Sequence, residues 1–171
     1  MAVLEIIKYP NPCLRKRCKP VEEITPEILK LADHMAETMY AAPGVGLAAC
    51  QVGASLQVAV IDVTWRSAEQ RNIITIFNPV LVHAEGETVG EEGCLSVPNC
   101  LAEVKRSARV LVRGLDRQGK EIEIAGEGLL AVALQHELDH LNGVLFFDHL
   151  SRLKREILKK KLKEIQGGAT R

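Results

Sequence analysis

The run His136-Glu137-Leu138-Asp139-His140 carries the clearest chemistry in this 171-residue chain. In an α-helix, side chains four apart stand one above the other, so His136 and His140 can direct both imidazoles at one metal ion. Glu137 can flank the same ion without binding it, and a carboxylate there can take a proton from water and return it to a leaving nitrogen. Two imidazoles do not complete a site: a third protein ligand is needed, with one position left open. Cys94, in Glu92-Gly93-Cys94-Leu95-Ser96, is the better candidate, because Gly93 permits close backbone approach and Pro98 stiffens the segment that follows. A thiolate and two imidazoles suit Zn²⁺ or Fe²⁺ in tetrahedral geometry. Cys100 is a rival to Cys94, and His149, Glu156 or Glu164 would supply the downstream ligand of a zinc endopeptidase. A structural zinc module without catalysis would take a fourth ligand from Cys50 or Cys100.

A second segment, Gly44-Val45-Gly46-Leu47-Ala48-Ala49-Cys50-Gln51, has two glycines that let a substrate backbone lie close and small alanines that let it pack on the histidine helix. It lacks the Lys-Ser/Thr end of a phosphate loop and the third glycine of a dinucleotide site.

These residues need elements to hold them. Residues 128–141 have helical period, with Leu129, Val132, Ala133, His136 and His140 on one broad face and Asn142-Gly143 as the stop. Thr25-Pro26-Glu27 starts an earlier helix, with Ile28, Leu31, Ala32, Met35 and Met39 as its apolar face and Pro43-Gly44 beyond its end. Strands are predicted at 56–64, at 73–77 and 80–82 around Pro79, and at 104–115, the last followed by a hairpin turn at 116–120 and a strand at 121–124. A final amphipathic helix is predicted over about 148–165, with Leu150, Leu153, Ile157, Leu158, Leu162 and Ile165 as its stripe and lysines opposite. Helices do not alternate with strands, so the expected fold is α+β: one domain over 1–171, with antiparallel or mixed sheets around the metal-binding helix and a C-terminal helix.

Twenty-two basic residues balance twenty-two acidic ones, which excludes a bulk nucleic-acid binder, DNA included. From Ser151 to Arg171, however, eight basic residues face two acidic ones. Five irregularly spaced cysteines and the lack of a basic, greasy leader point to a reducing, cytoplasmic setting. The uncharged stretch from Thr38 to Ile61 holds too much glycine and polar amide for a membrane span.

Together the three segments, Gly44 to Gln51, Glu92 to Ser96 and Gln135 to Leu141, resemble those of peptide deformylase, complete and in family order. The resemblance runs from about Ile6 to the last helix and is closest to bacterial enzymes with a helical C-terminus. It implies that Cys94, His136 and His140 bind one divalent metal, usually Fe²⁺ in the family, with Zn²⁺, Ni²⁺ or Co²⁺ possible in preparations. It also implies that Glu137 is the acid/base and that the Gln51 amide and the Leu95 backbone N–H stabilise the oxyanion. The expected reaction removes the N-formyl group from the initiating methionine of nascent polypeptides and releases formate. Leu129, Val132 and Ala133 are expected to form the methionine slot, and the resemblance adds Val45 and Leu95 beside Gly46. In the family a basic C-terminal helix can dock near the ribosomal exit tunnel. Some members carry arginine where this chain has Leu101, so contacts beyond methionine are expected to differ. Glu92 and Arg106 are candidates for a pair that holds the cysteine loop.

Overall fold

The computed structural model describes residues 2–169, with side chains described to residue 166. Helix α1, Pro26–Ala41, begins as its sequence dictates: Thr25 accepts the Ile28 N–H at 3.3 Å through its hydroxyl, Pro26 opens the first turn, and Glu27 meets the positive end. Strands β1 (Gly46–Ala48), β2 (Val58–Ile61) and β3 (Ile74–Glu85) follow, then β4 (Thr88–Cys94), β5 (Val97–Arg106), β6 (Arg109–Leu115) and β7 (Glu121–Glu127). Helix α2 spans Leu129–Leu141 and helix α3 spans Arg152–Ala169.

Two sheets result, both antiparallel: five strands in the order β1-β2-β3-β6-β7, and a separate β4–β5 arm. Strand β2 is buried along its whole length because alternate residues face different helices. Val58 and Val60 pack with Met35, Met39 and Tyr40 of α1, whereas Ala59 and Ile61 pack with Ala131, Ala133 and Leu134 of α2. Helix α2 is therefore held against the sheet by its apolar side, and the β4–β5 arm is bonded to its other side. A third apolar cluster joins Val97, Cys100 and Val104 of β5 to Phe146, Phe147, Leu158 and Leu162.

The observed α+β fold matches the expected class, and several boundaries move. The strand predicted at 104–115 is two strands in different sheets, broken at Ser107. The Gln135 side chain accepts the Ser107 N–H and donates to its C=O, each at 2.9 Å, so the chain can leave one sheet without orphaned backbone groups. Asn78-Pro79 does not interrupt β3. Asn78 adopts φ 52°, and its amide bonds both backbone groups of Val21, which absorbs the register shift between Phe77 and Val80. The last helix starts at Arg152, and Phe146–His149 forms a separate 3₁₀ turn. Its apolar stripe is only partly covered: Leu158 and Leu162 are buried, but Leu153 and Ile157 are 72% and 61% exposed. No helix among the described residues is long and apolar enough to cross a membrane.

Candidate metal centre and cleft

Helix α2 presents His136 and His140 one turn apart, their Nε2 atoms 3.1 Å from each other. At the tip of the β4–β5 arm Cys94 brings its Sγ to 3.2 Å from His140 Nε2, and the three donor atoms all lie within 4.8 Å of one another. No other such group of three exists among the described residues. Cys50 and Cys100 do not join it; the Cys50 thiol donates instead to the His140 carbonyl at 3.3 Å. His149 is also elsewhere, with Nε2 2.7 Å from Asp139 Oδ2.

His136 is oriented from behind. Its Nδ1 lies 3.1 Å from Glu92 Oε1, which leaves Nε2 to face the cluster. Glu92 is clamped by Arg106 through two bonds of 2.8 Å, and Arg106 also reaches Asp139 Oδ2 at 2.6 Å. Burial pushes the Glu92 carboxyl up, but bonds from Arg106 and His136 outweigh it and hold the group at about 2. Burial likewise works against charge on His136, yet the Cys94 sulfur and Glu92 raise it well above the usual imidazole range. His140 is driven well below that range by burial and by His136.

Glu137 is 4% exposed, and burial raises its carboxyl to about 7 against the pull of His136 and Arg106. Its Oε1 has no hydrogen-bond partner, and Oε2 lies over Gly46, where a Cβ would come within 2.4 Å of it. Only glycine at 46 lets strand β1 pass this close to the carboxylate. Gly44 is similarly tight, since a Cβ there would meet Leu95 Cδ1 at 2.9 Å.

Gln51 sits in a buried 3₁₀ turn, Ala49–Val52. Its Oε1 accepts the Ala48 N–H at 2.9 Å, and its Nε2 donates to Ser96 Oγ at 3.1 Å and lies 3.6 Å from Cys94 Sγ. Leu95 follows Cys94 in the β4–β5 turn, and its carbonyl accepts Lys8 Nζ at 2.9 Å. A cleft of about 760 Å³ opens over these groups, lined by Val45, Gly46, Gln51, Cys94, Leu95, Val132, Ala133, His136 and Glu137, with Leu129, Leu101 and Arg66 also on its walls. Every site residue expected from the sequence lines it except His140, which is buried beneath. Leu129 is 54% exposed, so its side chain is largely open to solvent. A smaller cavity of about 350 Å³ lies at Arg106, Asp139 and His149 and contains none of the ligand atoms.

Three features were not legible beforehand. Ser96 orients the Gln51 amide, although its place in the Glu-Gly-Cys-Leu-Ser run was a signal. Asp139 and His149 extend the network behind Arg106. Trp65 and Arg66 bond the backbone at Gly44 and Pro43, and nothing in their spacing announces it.

A cation fits this cluster. Three lone-pair donors are crowded together, one buried and two half-buried, and the neighbouring Glu137 Oε1 is left unpartnered. A soft thiolate with two imidazoles is a donor set for Fe²⁺ or Zn²⁺.

Breaking the network behind His136 has a calculable consequence. Arg106→Met leaves Glu92 buried beside His136 alone and should destabilise the fold by about 3–5 kcal/mol in urea unfolding. Because the folded Glu92 pKa lies below its unfolded value, the pair's contribution is present above about pH 4.5. It is lost as pH falls toward about 2, so Arg106→Met should flatten that acid limb. The same variant should bind its cation roughly 10–100-fold more weakly in a competition titration.

Comparison with known proteins points to one family. Residues 3–156 match the family described as Polypeptide deformylase. A peptide deformylase of Syntrophobacter fumaroxidans is 53% identical over 164 residues, covering 96% of each chain. One from Thermodesulfovibrio yellowstonii is 52% identical over 163 residues, covering 95% of this chain and 98% of the relative. The crystal structure of a peptide deformylase from Legionella pneumophila superposes with a TM-score of 0.92 at 47% identity, covering 99% of both chains. That from Ehrlichia chaffeensis in complex with actinonin gives 0.89 at 39% identity, covering 96% of this chain and 98% of the other.

Proposed function

The chain belongs to the polypeptide deformylase family, and on that premise we propose which of its residues hold the cation, move the proton and bind the peptide. It is a metal-dependent amide hydrolase that removes the N-formyl group from nascent polypeptides. Cys94, His136 and His140 hold one divalent ion, natively Fe²⁺, with Zn²⁺, Ni²⁺ or Co²⁺ able to replace it. The bound ion supplies Lewis acidity that lowers the pKa of water and polarises the formyl carbonyl.

Glu137 takes a proton from the attacking water and delivers it to the methionyl nitrogen. The water oxygen bonds to the formyl carbon, the C–N bond breaks, and formate and a free amino terminus leave. Burial pushes the carboxyl up while a bound cation would pull it down, and between the two Glu137 can both take and return a proton. The Gln51 Nε2 and the Leu95 backbone N–H donate to the oxygen on which charge develops. Val132 and Ala133, with Val45 and Gly46 opposite, hold the methionine side chain, and Leu129 stands at the rim. Burying that side chain contributes roughly 1.5–3 kcal/mol.

The observation that supports this reading is the carboxylate of Glu137 beside a Cys94–His136–His140 cluster inside one cleft. The test is formate release from formyl-Met-Ala by the anaerobically prepared holoenzyme, with internal peptide bonds left uncut. Cleavage of internal bonds without formate would overturn it. Ala133→Phe should reduce kcat/KM for this substrate roughly a hundredfold, chiefly through KM, while one ion remains bound. Unchanged kinetics would remove Ala133 from the slot.

We extend the proposal to the whole of 1–171 as one cytoplasmic domain whose helix α3 contacts the ribosome. From Arg152 to Ala169 it carries seven basic residues against two acidic ones, a surface that RNA phosphates attract. Arg171 lies outside the described residues.

A further inference from the structure

Three consecutive carbonyls on the wall of the cleft are held by one short stretch of chain. The Pro43 carbonyl accepts Arg66 Nη2 at 3.1 Å, the Gly44 carbonyl accepts the Trp65 indole N–H at 2.9 Å, and the Val45 carbonyl accepts the Asp62 N–H at 2.9 Å. The loop that provides these donors is itself anchored. Asp62 is buried and accepts from Tyr40 Oη at 2.6 Å, Thr64 N at 3.1 Å and Asn72 N at 2.8 Å. The Trp65 ring stands edge-on to Tyr40 at 5.3 Å, with the Arg66 guanidinium 5.4 Å from its centroid.

We infer that Trp65 is a positioning residue for substrate binding, acting through the Gly44 carbonyl to set the width of the cleft between Pro43–Val45 and Leu95. Trp65 does not line the cleft, whereas Pro43, Gly44, Val45 and Leu95 do. The wall has little slack on its other side, because a Cβ added at Gly44 would meet Leu95 Cδ1 at 2.9 Å. With the indole bond gone, Pro43 and Val45 stay tied to Arg66 and Asp62, but the Gly44 carbonyl between them loses its bond to the loop, so the wall relaxes at Gly44. Gly46, by contrast, is held independently by its pairing with Ile61, so its contact with Glu137 survives. The effect therefore falls on binding and leaves proton transfer in place.

This inference rests on the deformylase reading. The experiment is steady-state deformylation of formyl-Met-Ala-Ser by the Trp65→Phe holoenzyme, which keeps an aromatic ring beside Tyr40 and removes the N–H together with one ring of the indole. KM should rise roughly fivefold, the worth of one hydrogen bond, with kcat within about twofold of wild type. KM left unchanged overturns the inference, whether kcat is normal or is reduced as by a smaller active fraction. A second readout needs no substitution. Trp65 is the chain's only tryptophan, so its emission should change as the product peptide Met-Ala-Ser saturates the wild-type holoenzyme. A flat emission at saturation overturns the inference, even if Trp65→Phe fails to fold. A wild-type enzyme that releases no formate would instead defeat the functional reading on which it stands.

Discussion

Glu137→Gln should lower kcat for formyl-Met-Ala by about a thousandfold while the protein still binds one cation per chain. Glutamine keeps the shape of the side chain and its seat on Gly46, but it cannot accept the proton from water or return it to the leaving nitrogen. Nothing in the ligand cluster is removed, so metal analysis should match wild type. The variant should also be at least as stable, because a buried carboxylate with an unpartnered oxygen is replaced by a neutral amide. Turnover close to wild type would show that another group moves the proton. Loss of the ion together with activity would make Glu137 a support of the cluster.

The next largest effect is expected for Gln51→Leu, which should reduce kcat roughly 10²–10³-fold with KM little changed. The Gln51 amide is preorganised: its oxygen is tied to the Ala48 N–H and its nitrogen is aimed at the space between Ser96 and Cys94. A donor fixed in this way needs no reorganisation when charge develops on the substrate oxygen. The substitution has a second, separable consequence. Ala48 is fully buried, and its N–H loses its acceptor, so unfolding in urea should show a loss of about 1–3 kcal/mol. A normal kcat with that stability loss would leave Gln51 a structural role and assign the oxyanion to other donors.

What could be read from the residues alone was whatever had local periodicity or a tight motif. The α1 start at Thr25-Pro26, the α2 face bearing His136 and His140, and the β6–β7 hairpin were legible because capping, helical spacing and a glycine turn are written in neighbouring residues. The candidate site was legible in its parts, because Cys94, Gln51 and Glu137 each stand in a distinctive run. The β4–β5 arm was not. Glu92 is the only buried residue of β4, so the strand shows no apolar alternation and is held by pairing and by the Glu92–Arg106 clamp. The break at Ser107 depends on Gln135, far along the chain, and the grip of Trp65 on Gly44 depends on a side chain reaching a distant carbonyl. Such contacts leave no periodic trace. The α3 stripe errs in the opposite sense: its pattern is helical, but the body beneath it covers Leu158 and Leu162 and stops short of Leu153 and Ile157.

Three donors converge from the arm and the helix, and the proposed chemistry needs all of them. X-ray absorption at the metal edge of the anaerobically reconstituted protein counts them directly. The expected environment is one sulfur and two imidazoles around a single ion, with the sulfur lost in Cys94→Ser. Two sulfurs, or a sulfur that persists in Cys94→Ser, would place the ion on other cysteines and contradict the site from which the chemistry is derived.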